Sequence, residues 1–152
     1  MPKLSAGLLL YRRKPLGPQV LLVHPGGPFW AKKDLGAWSI PKGEVESGEP
    51  ALETAKREFA EETGFRPEGA CLGLGQFRQS SAKTVEVFAL EADFDVGALK
   101  SNLFTMEWPP RSGKLASFPE VDRAGWFDLE EARRRILKGQ VAILDALERK
   151  LG

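Results

Sequence analysis

The sequence predicts a mixed α/β fold in which strands surround one helix and a second helical region lies at the end of the chain. Two apolar, β-rich runs come first, and a turn containing Pro and Gly separates them, as in a β-hairpin. A later segment has apolar residues at helical spacing. With 152 residues, of which 42% are hydrophobic, the chain can bury a core and is expected to form one domain over residues 1–152.

The first half of the chain is predicted to contain the hairpin, a loop and a short strand. Residues 4–12 and 19–24 form the hairpin, and a loop rich in Pro and Gly follows His24. Residues 37–40 are predicted as a strand that ends at Pro41, and residues 43–48 as an acidic, turn-rich loop.

Helical signals frame the segment that begins after this loop. Pro50 suits a helix N-terminus, apolar spacing continues to about Thr63, and Gly64 is a natural C-terminal cap. Strands are then predicted at 71–79, at 84–94 and near 102–108. Residues 120–127 lead into a last helix or helix pair at 129–151.

Charge and composition exclude several classes of function. The formal net charge is +1, whereas generic nucleic-acid and membrane-surface binders carry a large basic excess. A single cysteine, Cys71, and a single histidine, His24, disfavour disulfide frameworks, Cys-rich zinc sites and Ser-His triads. His24 is expected at a strand end without a catalytic role. No targeting segment or apolar run of membrane-spanning length stands out, so we expect a cytoplasmic protein with carboxylate chemistry.

Three glutamates share one face of the predicted helix. At about 100° per residue, Glu61 and Glu62 lie within about 60° of Glu58. Carboxylates four residues apart repel each other by about 0.2–0.5 kcal/mol, and the helix dipole disfavours anions near the C-terminus. The face is therefore either a solvated acidic surface or a site for a hard cation such as Mg²⁺.

Opposite charges are concentrated in neighbouring parts of the chain. Residues 1–36 carry six basic side chains and one acidic one, a net of +5, whereas residues 42–62 carry three basic side chains and seven glutamates, a net of −4. An acidic cation site beside a basic, loop-rich segment suits a metal-bound polyphosphate.

The spacing from Gly43 to Phe65 resembles the Nudix box. Gly43 is followed after five residues by Glu49 and after seven more by Arg57-Glu58-Phe59-Ala60-Glu61-Glu62-Thr63-Gly64-Phe65, so every specified position of G-x5-E-x7-R-E-U-x-E-E-x-G-U is matched. The resemblance implies an α/β/α sandwich with a mixed β-sheet and a catalytic loop–helix–loop. It also implies hydrolysis of a phosphoanhydride in a nucleoside diphosphate linked to another group.

The same resemblance implies roles for the box residues. Glu58 and Glu62 would be direct ligands of Mg²⁺ or Mn²⁺, and Glu61 would be a further ligand, a holder of metal-bound water or the general base. Gly43 would allow the loop backbone to approach the metal.

Further acidic and basic residues complete the expected catalytic set. Glu49 would support the site, and Arg57 would hold Glu49 and Glu58 in position. Glu120 would be another acidic ligand or the base, with a solvated loop acid as the alternative. Glu86 and Glu107 are weaker candidates.

Substrate contacts are expected just before the box. Lys42 would meet phosphate, and Trp30 with Lys32 and Lys33 would stack a base and hold phosphate. The alternative for Trp30 is an aromatic plug over the core, with solvated lysines beside it.

The expected partner is a small nucleoside polyphosphate, an NTP or a dinucleoside polyphosphate. An RNA 5′-end pyrophosphohydrolase is disfavoured by the near-neutral charge. A nucleotide-sensing domain without catalysis is the alternative from another class, but such domains typically lose box glutamates. The sequence leaves the oligomeric state open, as monomer or homodimer.

Overall fold

A central sheet separates one helix from two others in the computed structural model, which describes residues 3–152. The strands are β1 (Lys3–Lys14), β2 (Gly17–Pro25), β3 (Lys42–Glu44), β4 (Leu72–Ser80), β5 (Lys83–Glu91), β6 (Leu103–Glu107), β7 (Leu115–Pro119) and β8 (Val121–Asp128). The helices are α1 (Ala51–Thr63), α2 (Leu129–Arg135) and α3 (Val141–Leu151).

The sheet is mixed, as predicted. Its order is β4-β5-β1-β2-β8, with β3 also paired to β1, and β1 runs parallel to β5 but antiparallel to β2 and β3. β6 and β7 form a separate hairpin. The predicted α/β/α sandwich is confirmed.

Strand β1 supplies side chains to both cores because successive residues of a strand point to opposite faces. Leu8 and Leu10 pack with Phe59 of α1, whereas Leu9 packs with Ile143 and Leu144 of α3. The six consecutive buried residues from Ala6 to Tyr11 are therefore explained by a strand covered on both sides.

β1 and β2 separate part of the way along their length. They pair from Tyr11 to Lys14, after which β2 continues beside β8, and β3 pairs with β1 at Ser5–Gly7 instead. The segment before β3 fills the gap, with the Leu8 N–H donating to the Pro41 carbonyl at 3.1 Å. This divergence creates a cleft next to the start of the Nudix-like motif.

The predicted strand at 37–40 is wrong. Trp38 and Ser39 form only isolated bridges, and regular pairing begins at Lys42, in a strand whose last two residues fall within the segment 43–48 predicted as a loop. Pro41 has no N–H to donate to a ladder, so the strand starts after it. Strand β7 was not predicted, and β5 ends at Glu91 instead of residue 94.

The predicted helix 51–63 is confirmed as α1. Gly64 ends it with φ at 78°, and its N–H donates to the Ala60 carbonyl at 2.8 Å, the left-handed cap expected of glycine. The helix pair at the end of the chain is also confirmed, as α2 and α3. Within residues 3–152 we find no helix with the length and apolarity needed to cross a bilayer.

Candidate active site

Arg57 holds together the carboxylates of α1 and of the loop before it. Its Nε and Nη2 donate to the two oxygens of Glu49 at 2.9 and 3.0 Å, and its Nη1 donates to Glu58 Oε2 at 2.7 Å. The Thr54 hydroxyl also donates to Glu49, at 2.6 Å. Hydrogen bonds from Arg57 and then from Thr54 lower the pKa of Glu49 to about 2. Glu49 is therefore a fixed anion that ties the loop to the helix.

Glu58 and Glu62 are crowded carboxylates one helical turn apart. Burial and then the charge of Glu58 raise the pKa of Glu62 to about 8. Burial and then the charge of Glu61 raise the pKa of Glu58 to about 7. The backbone N–H of Lys42 donates to Glu62 Oε2 at 3.2 Å. Repulsion between the two negative charges and burial away from water disfavour the state in which both carboxylates are ionised, unless a cation binds between them.

Gly43 allows the backbone of β3 to lie directly against Glu58. A Cβ at residue 43 would overlap the carboxyl group of Glu58, so any other residue would displace the strand or the glutamate. The absent side chain leaves a cradle beside the carboxylate pair.

Glu120 is linked to the end of α1 through two backbone hydrogen bonds. Its N–H donates to the Asn102 carbonyl at 2.8 Å, and the Asn102 N–H donates to the Glu61 carbonyl at 2.9 Å. Burial, followed by the charge of Glu61, raises the pKa of Glu120. The structure thus brings Glu120 to the end of α1 although Glu62 and Glu120 are 58 positions apart in sequence.

These groups open into a cleft of about 210 Å³ between the diverging strands. Its polar lining includes Lys42, Glu62 and Glu120, and Trp30 also lines it. Burial lowers the pKa of Lys42, and the charge of Glu62 opposes that effect. The rest of the lining is almost entirely apolar: Val23, Pro25, Ala37, Ile40, Val121 and Leu137, with Ser39. The cleft therefore combines a charged side with an apolar side suited to a planar group.

Lys32 and Lys33 do not line this cleft. Both are exposed, and Lys33 Nζ lies 5.1 Å from the centroid of the Trp30 ring. The two weaker candidates lie elsewhere: Glu86 accepts a hydrogen bond from Gln76 in the sheet, and Glu107 accepts one from the Arg111 backbone.

Sequence reasoning missed the residues that hold the cleft walls. Gln140 is buried, accepts the Ile40 N–H at 3.0 Å and donates to the Ser39 hydroxyl at 3.0 Å. His24 is also buried and contacts Asp122 at 2.8 Å. Both pairings join residues about 100 positions apart, so no local sequence pattern predicts them.

The carboxylates do not yet form a complete metal-ligand set. Within residues 3–152, no group of three His, Cys, Asp or Glu side chains is arranged to hold a metal ion. Hard cations usually take one or two carboxylates and complete their coordination with water and substrate phosphate. Glu58 and Glu62, beside the Gly43 cradle, supply such a pair.

Comparison with known proteins identifies the class to which this fold and site belong. A NUDIX domain model matches residues 1–147, and the chain belongs to the Nudix family. Mutator protein MutT4 of Mycobacterium tuberculosis (strain CDC 1551 / Oshkosh) is 66% identical over 29 residues, which are 19% of this chain and only 12% of that relative.

Two solved structures share the fold along the whole chain. The NUDIX domain of Shewanella oneidensis NrtR, complexed with ADP ribose, superposes with a TM-score of 0.68 at 16% identity, covering 100% of this chain and 90% of that one. The C. elegans Ap4A hydrolase superposes with a TM-score of 0.64 at 21% identity, covering 100% of both chains. At these identities the likeness shows the fold.

Proposed function

We propose that this Nudix protein is a Mg²⁺-dependent pyrophosphohydrolase that cleaves a phosphoanhydride in a nucleoside diphosphate linked to another group. The expected substrate is an NTP or a dinucleoside polyphosphate, and Mn²⁺ is an alternative cation. The observation that carries the proposal is the crowding of Glu58 against Glu62, which itself lines the charged side of a cleft whose other side is apolar.

The residues present fit a divalent cation. Glu58 and Glu62 would hold it, with the backbone at Gly43 alongside, because each carboxylate is poorly solvated and faces like charge. Glu61 is the further acidic group at this face. When bound, Mg²⁺ supplies charge neutralisation for the phosphates and acidifies water.

The chain's own residues would position the substrate. Lys42 would place its ammonium against phosphate at the charged side of the cleft, and Trp30 would stack on the base. Lys32 and Lys33, exposed on the same loop, would meet a phosphate chain that extends out of the cleft. Arg57 would keep Glu49 and Glu58 in place throughout.

Proton transfer requires a carboxylate close to the attacking water. Water attacks one phosphorus, the bridging P–O bond breaks, and the leaving phosphate takes the electron pair. Glu120 or Glu61 would accept the proton of the water; Glu120 lines the cleft, and burial raises its pKa. Glu58 and Glu62 contribute by holding the cation.

Incubation with Mg²⁺ and a panel of nucleotides tests this proposal. The panel contains NTPs, NDP-sugars, dinucleoside polyphosphates and triphosphorylated RNA, and ion-exchange chromatography resolves the products. We expect cleavage that EDTA abolishes and that Glu62→Gln lowers by at least about 100-fold, because a bound cation stabilises the transition state by several kcal/mol and each 1.4 kcal/mol is about tenfold in rate.

Glu53→Gln is the matched control, because Glu53 lies exposed in the first turn of the same helix. It should retain wild-type activity. Nucleotide binding without turnover across the panel would favour a sensing domain instead, and cleavage of RNA alone would favour a 5′-end pyrophosphohydrolase. Equal activity in Glu62→Gln would remove Glu62 from the metal site.

A further inference from the structure

His24 is fully buried between two acceptors on different parts of the chain. Its Nδ1 lies 2.8 Å from Asp122 Oδ1, and its Nε2 lies 2.6 Å from the carbonyl oxygen of Lys33. The ring also makes an edge contact with Trp38, with centroids 5.3 Å apart. A carbonyl can only accept, so Nε2 carries hydrogen and donates to Lys33. The two acceptors and Trp38 fix the orientation of the ring.

Lys33 belongs to the loop of residues 26–36 that carries Trp30. Within this loop, the Trp30 N–H donates to the Gly27 carbonyl at 3.4 Å, and the Lys33 N–H donates to the Trp30 carbonyl at 2.9 Å. Because of these hydrogen bonds, a displacement of the Lys33 carbonyl would also displace Trp30. The position of Trp30 in the cleft consequently depends on what holds Lys33.

The start of the loop is also fastened to the junction between β7 and β8. The Gly26 N–H donates to the Glu120 carbonyl at 2.9 Å, and a Cβ at residue 26 would overlap the Pro119 carbonyl oxygen. Asp122, the partner of His24, is two residues beyond Glu120. The loop and the first residues of β8 therefore both contribute to the lining of the cleft and are joined at His24.

We propose that His24 is a positioning residue. Its ring is oriented by Asp122, it donates to the Lys33 carbonyl, and it thereby sets the position of Trp30 in the cleft. It touches neither phosphate nor the acidic residues of α1. The inference rests on the proposed function for its effect on substrate, and its effect on the loop is independent of that function. It predicts control of nucleotide affinity and not of the chemical step.

Asp122→Ala is the informative variant. Removing His24 itself would open a cavity in the core and leave two acceptors without a partner, whereas Asp122 is exposed and its loss leaves the core intact. Asp122→Asn keeps a side-chain amide that can pair with Nδ1, its oxygen accepting if Nδ1 carries hydrogen and its N–H donating if it does not, and should restore the bond. Asp145→Ala is the control, because Asp145 pairs with Arg133 on the helical layer.

Two measurements separate the loop from the reaction. Hydrogen exchange without nucleotide should be at least about fivefold faster for amides of residues 27–36 in Asp122→Ala than in Asp145→Ala. With Mg²⁺-ATP and diadenosine tetraphosphate, KM should rise about tenfold, equivalent to about 1.4 kcal/mol, with kcat within about twofold of wild type. Asp122→Asn should match wild type in both.

Unchanged exchange in Asp122→Ala would overturn the proposal, as would a lower kcat at unchanged KM. The same would follow if Asp122→Asn behaved like Asp122→Ala, since the hydrogen bond to Nδ1 would then not be what holds the loop. If wild-type protein hydrolyses no nucleotide, the proposed function fails, and the exchange comparison still decides whether His24 holds the loop.

Discussion

The charge of Glu62 makes the metal-free protein less stable at neutral pH than in mild acid. Its pKa in the folded state is about 8, raised from 4.5 by burial and by Glu58. Between these two values the folded protein keeps a proton that the unfolded chain has released. Because the folded state then binds more protons, the free energy of unfolding must fall as pH rises through this range.

The structure gives the size of this effect. At about 1.36 kcal/mol per pH unit, the interval from the ordinary pKa of 4.5 to pH 7 corresponds to about 3 kcal/mol of lost stability. Glu62→Gln removes the titration and keeps an oxygen that can accept the Lys42 N–H. In a protein of this size, about 3 kcal/mol corresponds to about 6–12 °C in Tm.

Thermal unfolding in EDTA, followed by circular dichroism from pH 4.5 to pH 8, measures the difference. Glu62→Gln should melt within about 2 °C of wild type at pH 4.5 and about 6–12 °C above it at pH 7. Glu53→Gln should follow wild type at every pH. The assignment of Glu62 as a crowded, buried carboxylate would be refuted in either of two cases. In the first, the difference in Tm between Glu62→Gln and wild type is the same at every pH. In the second, Glu62→Gln melts below wild type at pH 7.

Three further changes test other parts of the site. Glu49→Gln should flatten the fall in Tm between pH 4.5 and pH 2. The lowered pKa of Glu49 stabilises the fold above pH 4.5, and this contribution is lost as the pH falls toward 2. A Tm profile unchanged from wild type would contradict this prediction. Gly43→Ala should lower stability by about 1–3 kcal/mol in urea unfolding and activity by more than about tenfold, since its Cβ overlaps Glu58; a fully active Gly43→Ala would show that the cradle is dispensable. Trp30→Ala should raise KM about 10-fold or more at similar kcat while Trp30→Phe stays near wild type, and equal KM values for both would exclude stacking.

The elements with strong local signals were predictable. The helix 51–63 has apolar spacing, a proline before it and a glycine cap after it, and all three act within a few residues. The segment at 37–40 was misassigned because its apolar residues face the cleft wall and the core without a continuous ladder. Its conformation is imposed by Gln140, which contacts Ile40 across 100 residues.

The candidate site, like the fold, has one part that could be predicted from local sequence and one part that could not. The carboxylate face of α1 follows from helical spacing, and the structure places Glu58, Glu61 and Glu62 as that spacing requires. The contacts that shape the cleft depend on tertiary packing between distant strands, which no window of the sequence contains. His24 was therefore expected only at a strand end without a catalytic role, and its contacts with Asp122 and the Lys33 carbonyl could not be foreseen.

Helix α1 violates a local rule that its surroundings only partly repair. No basic residue lies in its last turn, where the helix dipole favours cations, and acidic residues stand there instead. Arg57 donates to Glu49, Glu58 and Glu61, whereas Glu62 receives a backbone N–H from Lys42. One guanidinium already committed to Glu49 cannot neutralise the remaining carboxylates.

Such a conflict between local preference and fold is expected at functional sites. The near-zero net charge of the chain conceals it, because the net of +5 in residues 1–36 offsets the net of −4 in residues 42–62. A divalent cation and a polyphosphate together would supply charge of both signs where the chain itself leaves it unbalanced.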